Sequence, residues 1–137
     1  MQTVDDEEQT NDVSLSPAAK EGDRVVGVDI HLVDGAPTPF PFEGKLDGAL
    51  AESVYFDDKP AATIDSTTNN ERVHVPPPSK KFDRPPANKG VVIEGVATVL
   101  VEDRPLARSG HKVKTCNDPV DAPTAKIVAE GTVDVGE

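Results

Sequence analysis

Hydrophobic positions along this chain come in short bursts of Val, Ala and Ile, interrupted every few residues by Pro, Gly or acidic pairs. No stretch keeps a 3.6-residue period long enough for an amphipathic helix, whereas short Val-rich runs bounded by turn residues are the mark of strands. Arg24 to His31 is one such run. From Val26 to Ile30 apolar residues alternate with small or polar ones, which predicts a half-buried strand with His31 on the face opposite Ile30. Asp34-Gly35 then signals a turn. Three prolines stiffen the following Pro37-Thr38-Pro39-Phe40-Pro41-Phe42, so the expectation is an extended segment outside the central sheet with both rings tucked inward.

Ser53 to Phe56 reads as a strand ended by the turn Asp57-Asp58-Lys59-Pro60, and Gly90 to Val101 reads as a strand pair before the turn Glu102-Asp103-Arg104. Val75-Pro76-Pro77-Pro78 and Arg84-Pro85-Pro86 flank the basic Ser79-Lys80-Lys81-Phe82. They read as a rigid surface loop, with a polyproline recognition segment as the alternative. Residues 1–15 are polar and acidic without periodicity, predicting a flexible arm; order is expected over 16–137 as one all-β domain.

The elements recur. Pro17-Ala18-Ala19-Lys20, Pro60-Ala61-Ala62-Thr63 and Pro105-Leu106-Ala107-Arg108 each lead into a segment bearing a His or Cys, and three Glu-Gly pairs, at Glu43, Glu94 and Glu130, precede alternating segments. Pro17 to His31 and Pro60 to His74 are both fourteen residues. A period of about 40 residues built from strands and Gly turns marks a repeat architecture, here threefold, in which no unit buries its own apolar face.

Composition sharpens this picture. Only 36% of the 137 residues are hydrophobic and 4% aromatic, so a folded chain needs support beyond its core, from strand closure, a metal or a partner. The net charge of −11 argues against nucleic acid or an anionic membrane as partner. No apolar run approaches a membrane span, and no basic-then-apolar leader opens the chain. The expectation is synthesis in the cytoplasm without a signal peptide and no stable membrane insertion.

The chain has three histidines and one cysteine: His31, His74, His111 and Cys116. One cysteine rules out an internal disulfide, and these four donors make the ligand set of a closed, structural zinc site that would stabilise a thin core. His111 fits least well. It lies five residues from Cys116, so on a straight strand the two face opposite ways, and both reach one ion only if residues 112–115 bend. A closed shell leaves no position for a hydrolytic water, and no nucleophile–base arrangement, Walker loop or dinucleotide fingerprint is present.

The Pro-Ala-Ala copies, with Ser109-Gly110 and Thr115-Cys116-Asn117-Asp118-Pro119, resemble the PAAR family, and His74-Val75-Pro76-Pro77 and Pro85-Pro86-Ala87-Asn88-Lys89-Gly90 resemble its PAAR-like subgroup in contractile injection systems. The resemblance spans Pro17 to Gly136. It implies a small cone of short β-hairpins with pseudo-threefold symmetry that caps a trimeric β-helical spike, one per trimer, with zinc on three His and one Cys near the apex. It also implies a piercing rather than catalytic role, a place at the tip of an injection particle delivered to a target or the extracellular space, a monomer when free, and a possible cargo effector. The chain departs from the family at His111, where Gly-Asp is common, as in Gly22-Asp23; this leaves the fourth ligand open between His111 and another group. Two other readings stand beside this one. One is a small zinc-dependent hydrolase using His31, His74 and His111 around an open site; the other is a metal-free acidic binding module engaging a partner through its Pro-rich loops.

Overall fold

The computed structural model describes residues 14–137; the arm expected over 1–15 lies outside them apart from Ser14 and Leu15. The described residues form twelve strands and no helix: β1 (Ser16–Pro17), β2 (Arg24–Val33), β3 (Ala36–Gly48), β4 (Tyr55–Phe56), β5 (Lys59–Pro60), β6 (Thr67–Asn70), β7 (Lys89–Val92), β8 (Val96–Val101), β9 (Arg104–Leu106), β10 (Lys112–Thr115), β11 (Ala122–Val128) and β12 (Asp134–Val135). Six of them close an antiparallel barrel in the order β10-β11-β2-β3-β6-β7, a closure that leaves fewer sheet edges open in a chain with little core to spare. The other six make three two-stranded pairs, β1-β12, β4-β5 and β8-β9. The all-β expectation is met.

The proline-stiffened segment is part of the barrel rather than outside it. β3 pairs with β2 over ten residues, with Pro37, Pro39 and Pro41 opposite Leu32, Ile30 and Val28. Proline leaves a ladder intact where its nitrogen points away from the partner, and alternate spacing keeps all three on that side. No strand is needed there, because β6 joins β3 only from Gly44 onward. Both rings do turn inward: Phe42 is fully buried and Phe40 nearly so. The run from Gly90 to Val101 divides, since β7 pairs with β6 and β10 while β8 pairs with β9.

The alternation in β2 is real, but its inward face carries Val25, Asp29, His31 and Val33, whereas Val28 is 53% exposed. The barrel is too narrow for a side chain at Gly27, where a Cβ would lie 2.5 Å from the Thr124 carbonyl oxygen. The larger apolar cluster is the layer where Val25, Phe42, Leu46, Val92, Val113 and Ile127 meet, and a smaller one gathers Ala18, Ala51, Ala61, Val101 and Leu106.

The barrel stands on a base in which the three copies are related by a threefold pattern of bonds. The Ala19 amide donates to the Ala107 carbonyl, the Ala107 amide to Ala62 and the Ala62 amide to Ala19, at 2.9–3.0 Å, closing a ring of three fully buried alanines. Bridges Ala18 to Arg108, Ala61 to Lys20 and Leu106 to Thr63 repeat the same cyclic order. Each copy then makes one turn: Asp23 N to Lys20 O, Ser66 N to Thr63 O and His111 N to Arg108 O, at 3.0–3.1 Å. The third turn residue is left-handed in every copy, at Gly22, Asp65 and Gly110, the conformation that favours Gly there.

The three short pairs flank this ring. β4-β5 and β8-β9 are hairpins whose two turn residues, Asp57-Asp58 and Glu102-Asp103, both have positive φ, as in tight two-residue hairpin turns. The third pair is assembled from the two ends of the described chain, with Pro17 opposite Asp134 where the others place Pro60 opposite Tyr55 and Pro105 opposite Leu100. Arg108 ties these ends, donating to the Ser14 and Val135 carbonyls at 3.0 Å and to Glu137 at 2.5 Å. Turn carboxylates staple neighbouring copies: Asp57 accepts from the Thr132 amide and hydroxyl, and Glu102 from the Glu52 and Ser53 amides and the Ser53 hydroxyl.

Candidate metal centre

Asp29 and His31 follow Val25 on the inward face of β2, so strand alternation carries them up the barrel; from Val25 to His31 is about 20 Å along the strand. His74 arrives from the segment after β6, and Cys116 immediately follows β10. The donor atoms of Asp29, His31, His74 and Cys116 all lie within 4.8 Å of one another, and all four residues are buried. Three of the four residues expected to share an ion therefore meet.

His111 is not among them. Its Nδ1 accepts the Arg108 amide at 3.1 Å, and its Nε2 lies 3.5 Å from Glu137. In the other copies the Asp23 carboxylate accepts the Lys20 amide at 2.9 Å and the Ser66 hydroxyl accepts the Thr63 amide at 3.0 Å, so His111 is the turn residue of its copy. The fourth donor of the cluster is Asp29, which the sequence reading did not single out. Its signal was positional: Asp29 precedes His31 by two residues and shares its strand face.

Asp29 is fully buried with no Lys or Arg partner among the described residues, and hydrogen bonds take their place. Oδ1 accepts from the Thr115 hydroxyl and, at 2.7 Å, from the Thr124 hydroxyl; Oδ2 accepts from His74 Nε2 at 2.8 Å and Cys116 Sγ at 3.4 Å. Asn70 sets the His74 tautomer. Its Oδ1 accepts the Glu43 and Arg72 amides, which turns Nδ2 toward His74 Nδ1 at 3.3 Å and Asn88 Oδ1 at 3.0 Å. Nδ1 is then the acceptor and Nε2 carries the proton shared with Asp29.

His31 differs. Only 1% exposed, it has no hydrogen-bond partner at either ring nitrogen among the described residues. Phe40 and Phe82 pack edge-on against it with centroids 5.9 Å away, and the His74 ring lies at 5.1 Å. Burial, partly offset by Asp118, pushes its pKa below the ordinary value and keeps the imidazole neutral. Asp118 Oδ2 is 3.5 Å from His31 Nδ1, beyond good hydrogen-bond geometry. Burial raises the Asp118 carboxyl, but the Leu32 amide and the Arg84 guanidinium together outweigh it and hold it below the usual carboxylate range. Burial, above all, pushes the Cys116 thiol up to about 11.

Two imidazoles, a thiol and a carboxylate can hold a metal ion. Orphaned buried polar atoms are rare, and a neutral imidazole with a free lone pair fits a cation. Metal bonds of 2.0–2.3 Å imply donor separations of roughly 3.3–3.8 Å, so no pair needs to close by more than about 1.5 Å. Loading would displace protons from Cys116 and His74.

Comparison of the chain with family models, with curated proteins and with solved structures returns no match. Fold and site together define a closed six-stranded β-barrel on a pseudo-threefold base, carrying a buried cluster of four potential metal ligands.

Proposed function

We propose that the chain is the tip of a trimeric spike: a small barrel that binds a threefold partner through its base, is stiffened at the other end by a structural zinc ion on Asp29, His31, His74 and Cys116, and serves to pierce envelopes. The observation that carries this reading is the alanine ring. A monomer with an internal threefold axis presents three related edges, and such a surface fits a homotrimer, one copy per trimer. The base also has exposed apolar side chains at equivalent places, Tyr55 at 56% and Leu100 at 59%, beside Pro60 and Pro105. At the far end the metal would join β2, the segment after β6 and the end of β10, where narrowness limits apolar packing.

The reading is that of a particle component made in the cytoplasm and delivered with the spike. Its test is to mix the purified chain with a trimeric β-helical spike protein encoded beside it and weigh the complex. One chain per trimer, lost with Leu100→Asp or Tyr55→Asp, is expected. No complex, or a complex unaffected by both substitutions, would count against it. For the ion, elemental analysis should find one zinc per chain; a Cys116→Ser variant that retains full zinc would count against this ligand set.

A further inference from the structure

We propose that the cation reaches the four donors after the barrel has folded, through a cavity of about 240 Å³ that opens beside Pro85-Pro86-Ala87. This inference rests on the metal reading above. Two of the donor residues, His31 and Cys116, line the cavity, and its rim carries Arg84, Asp121 and Ala87. Four other surface cavities touch none of the donors. From the end of the barrel the way is shut: the rings of Phe40 and Phe82, 5.3 Å apart, both pack on His31, and Val33 bridges to Phe82.

The donors are held in place by the protein's own contacts. The barrel closes through its own backbone ladders, Asp29 accepts four hydrogen bonds, and both nitrogens of His74 are partnered. Only His31 is left unpaired, and it is aimed into the cavity. A metal therefore has no segment to recruit, unlike ions whose binding free energy is itself the free energy of folding. The mouth also suits a cation. Asp121 is exposed on the rim, the Arg84 guanidinium is occupied by Asp118 Oδ1 and the Asn117 carbonyl at 2.7 Å each, and the chain carries a net charge of −11. Ala87 is exposed, small and part of the lining, so a bulky side chain there would narrow the opening.

The test uses cobalt(II) as probe on full-length protein refolded in chelator, then freed of it. Dispersed amide resonances report folding, and the cobalt–thiolate charge-transfer absorption reports arrival at Cys116 in a stopped-flow mixer. The folded metal-free protein is expected to take up one cobalt. Ala87→Trp should slow uptake and release by a common factor of about ten or more, leaving affinity unchanged, and Asp121→Lys should slow uptake, with the difference shrinking at high salt. Unchanged kinetics in both variants, with cobalt still bound, would overturn the route alone. A chain that folds only when cobalt is present would overturn preassembly. A folded chain that takes up no cobalt would overturn the metal centre as well.

Discussion

If the alanine ring is the hinge of the architecture, enlarging any one of its members should be costly, and equally so for all three. Ala19, Ala62 and Ala107 each have no exposed surface, and their backbones are fixed at 2.9–3.0 Å by the cyclic hydrogen bonds. Valine at one position adds two carbons to a filled site, where overpacking costs about 1–3 kcal/mol. For a chain of this size, about 4 °C of melting temperature follows each kcal/mol, so each variant should melt roughly 4–12 °C lower. The assay is calorimetry or fluorescence melting of Ala19→Val, Ala62→Val and Ala107→Val, with Ala36→Val, at an exposed strand position, as the control that should not move. Threefold equivalence adds a sharper demand: the three losses should agree within about 0.5 kcal/mol, the margin within which stability changes at independent sites add. One position that tolerates valine while the other two do not would refute the ring as a symmetric element.

His111→Asp should keep both melting temperature and metal content, because Asp fills the same turn position in the first copy, whereas His111→Ala should cost about 1 kcal/mol and also leave metal content unchanged. Arg108→Ala should destabilise by about 1.5–3 kcal/mol through lost charged hydrogen bonds and raise amide exchange around Ser16 and Val135, read by hydrogen–deuterium exchange. Bonding to Thr132 and to Ser53 holds the Asp57 and Glu102 carboxyls below their ordinary range. The unfolded chain then binds protons that the folded one refuses, so stability supplied above the ordinary carboxylate pKa is lost as pH falls through the folded values. Urea unfolding at pH 5 and pH 3 should show that decline, and Asp57→Asn with Glu102→Gln should flatten it; an equal decline in the double variant would show that the staples carry none of it.

The sequence announced the base better than the barrel. The Pro-Ala-Ala units at 17 and 60 and the Pro-Leu-Ala unit at 105 are legible because a packed backbone ring demands small residues at Ala19, Ala62 and Ala107, and the left-handed turns that follow demand Gly or Asp. The inserted proline strand was misplaced because spacing alone does not reveal that β3 has only one neighbour along Pro37, Pro39 and Pro41. His31, His74 and Cys116 stood out by rarity, but rarity also drew His111 into the set. Counting from each proline would have removed it: Asp23, Ser66 and His111 are all six residues on, whereas His31 and His74 are fourteen on. Asp29 was hidden among 25 acidic residues, and only its place on the His31 face set it apart.

The two ends of the molecule solve one problem in different ways. At the base, three chain copies come together through identical backbone bonds, so small side chains suffice and symmetry is kept. Farther up, the copies no longer match: the first contributes a long hairpin bearing Asp29 and His31, the second a Pro-rich segment bearing His74, and the third the short β10 with Cys116 behind it. Backbone symmetry cannot bind such unlike segments, and a narrow interior that rejects even a Cβ at Gly27 offers little room for an apolar core. Side-chain chemistry adds there to the backbone ladders that close the barrel. Each copy supplies at least one donor to the buried cluster, so the site lies where the repeat loses its regularity, and the histidine left unpaired there is the point at which an added ion would complete the closure.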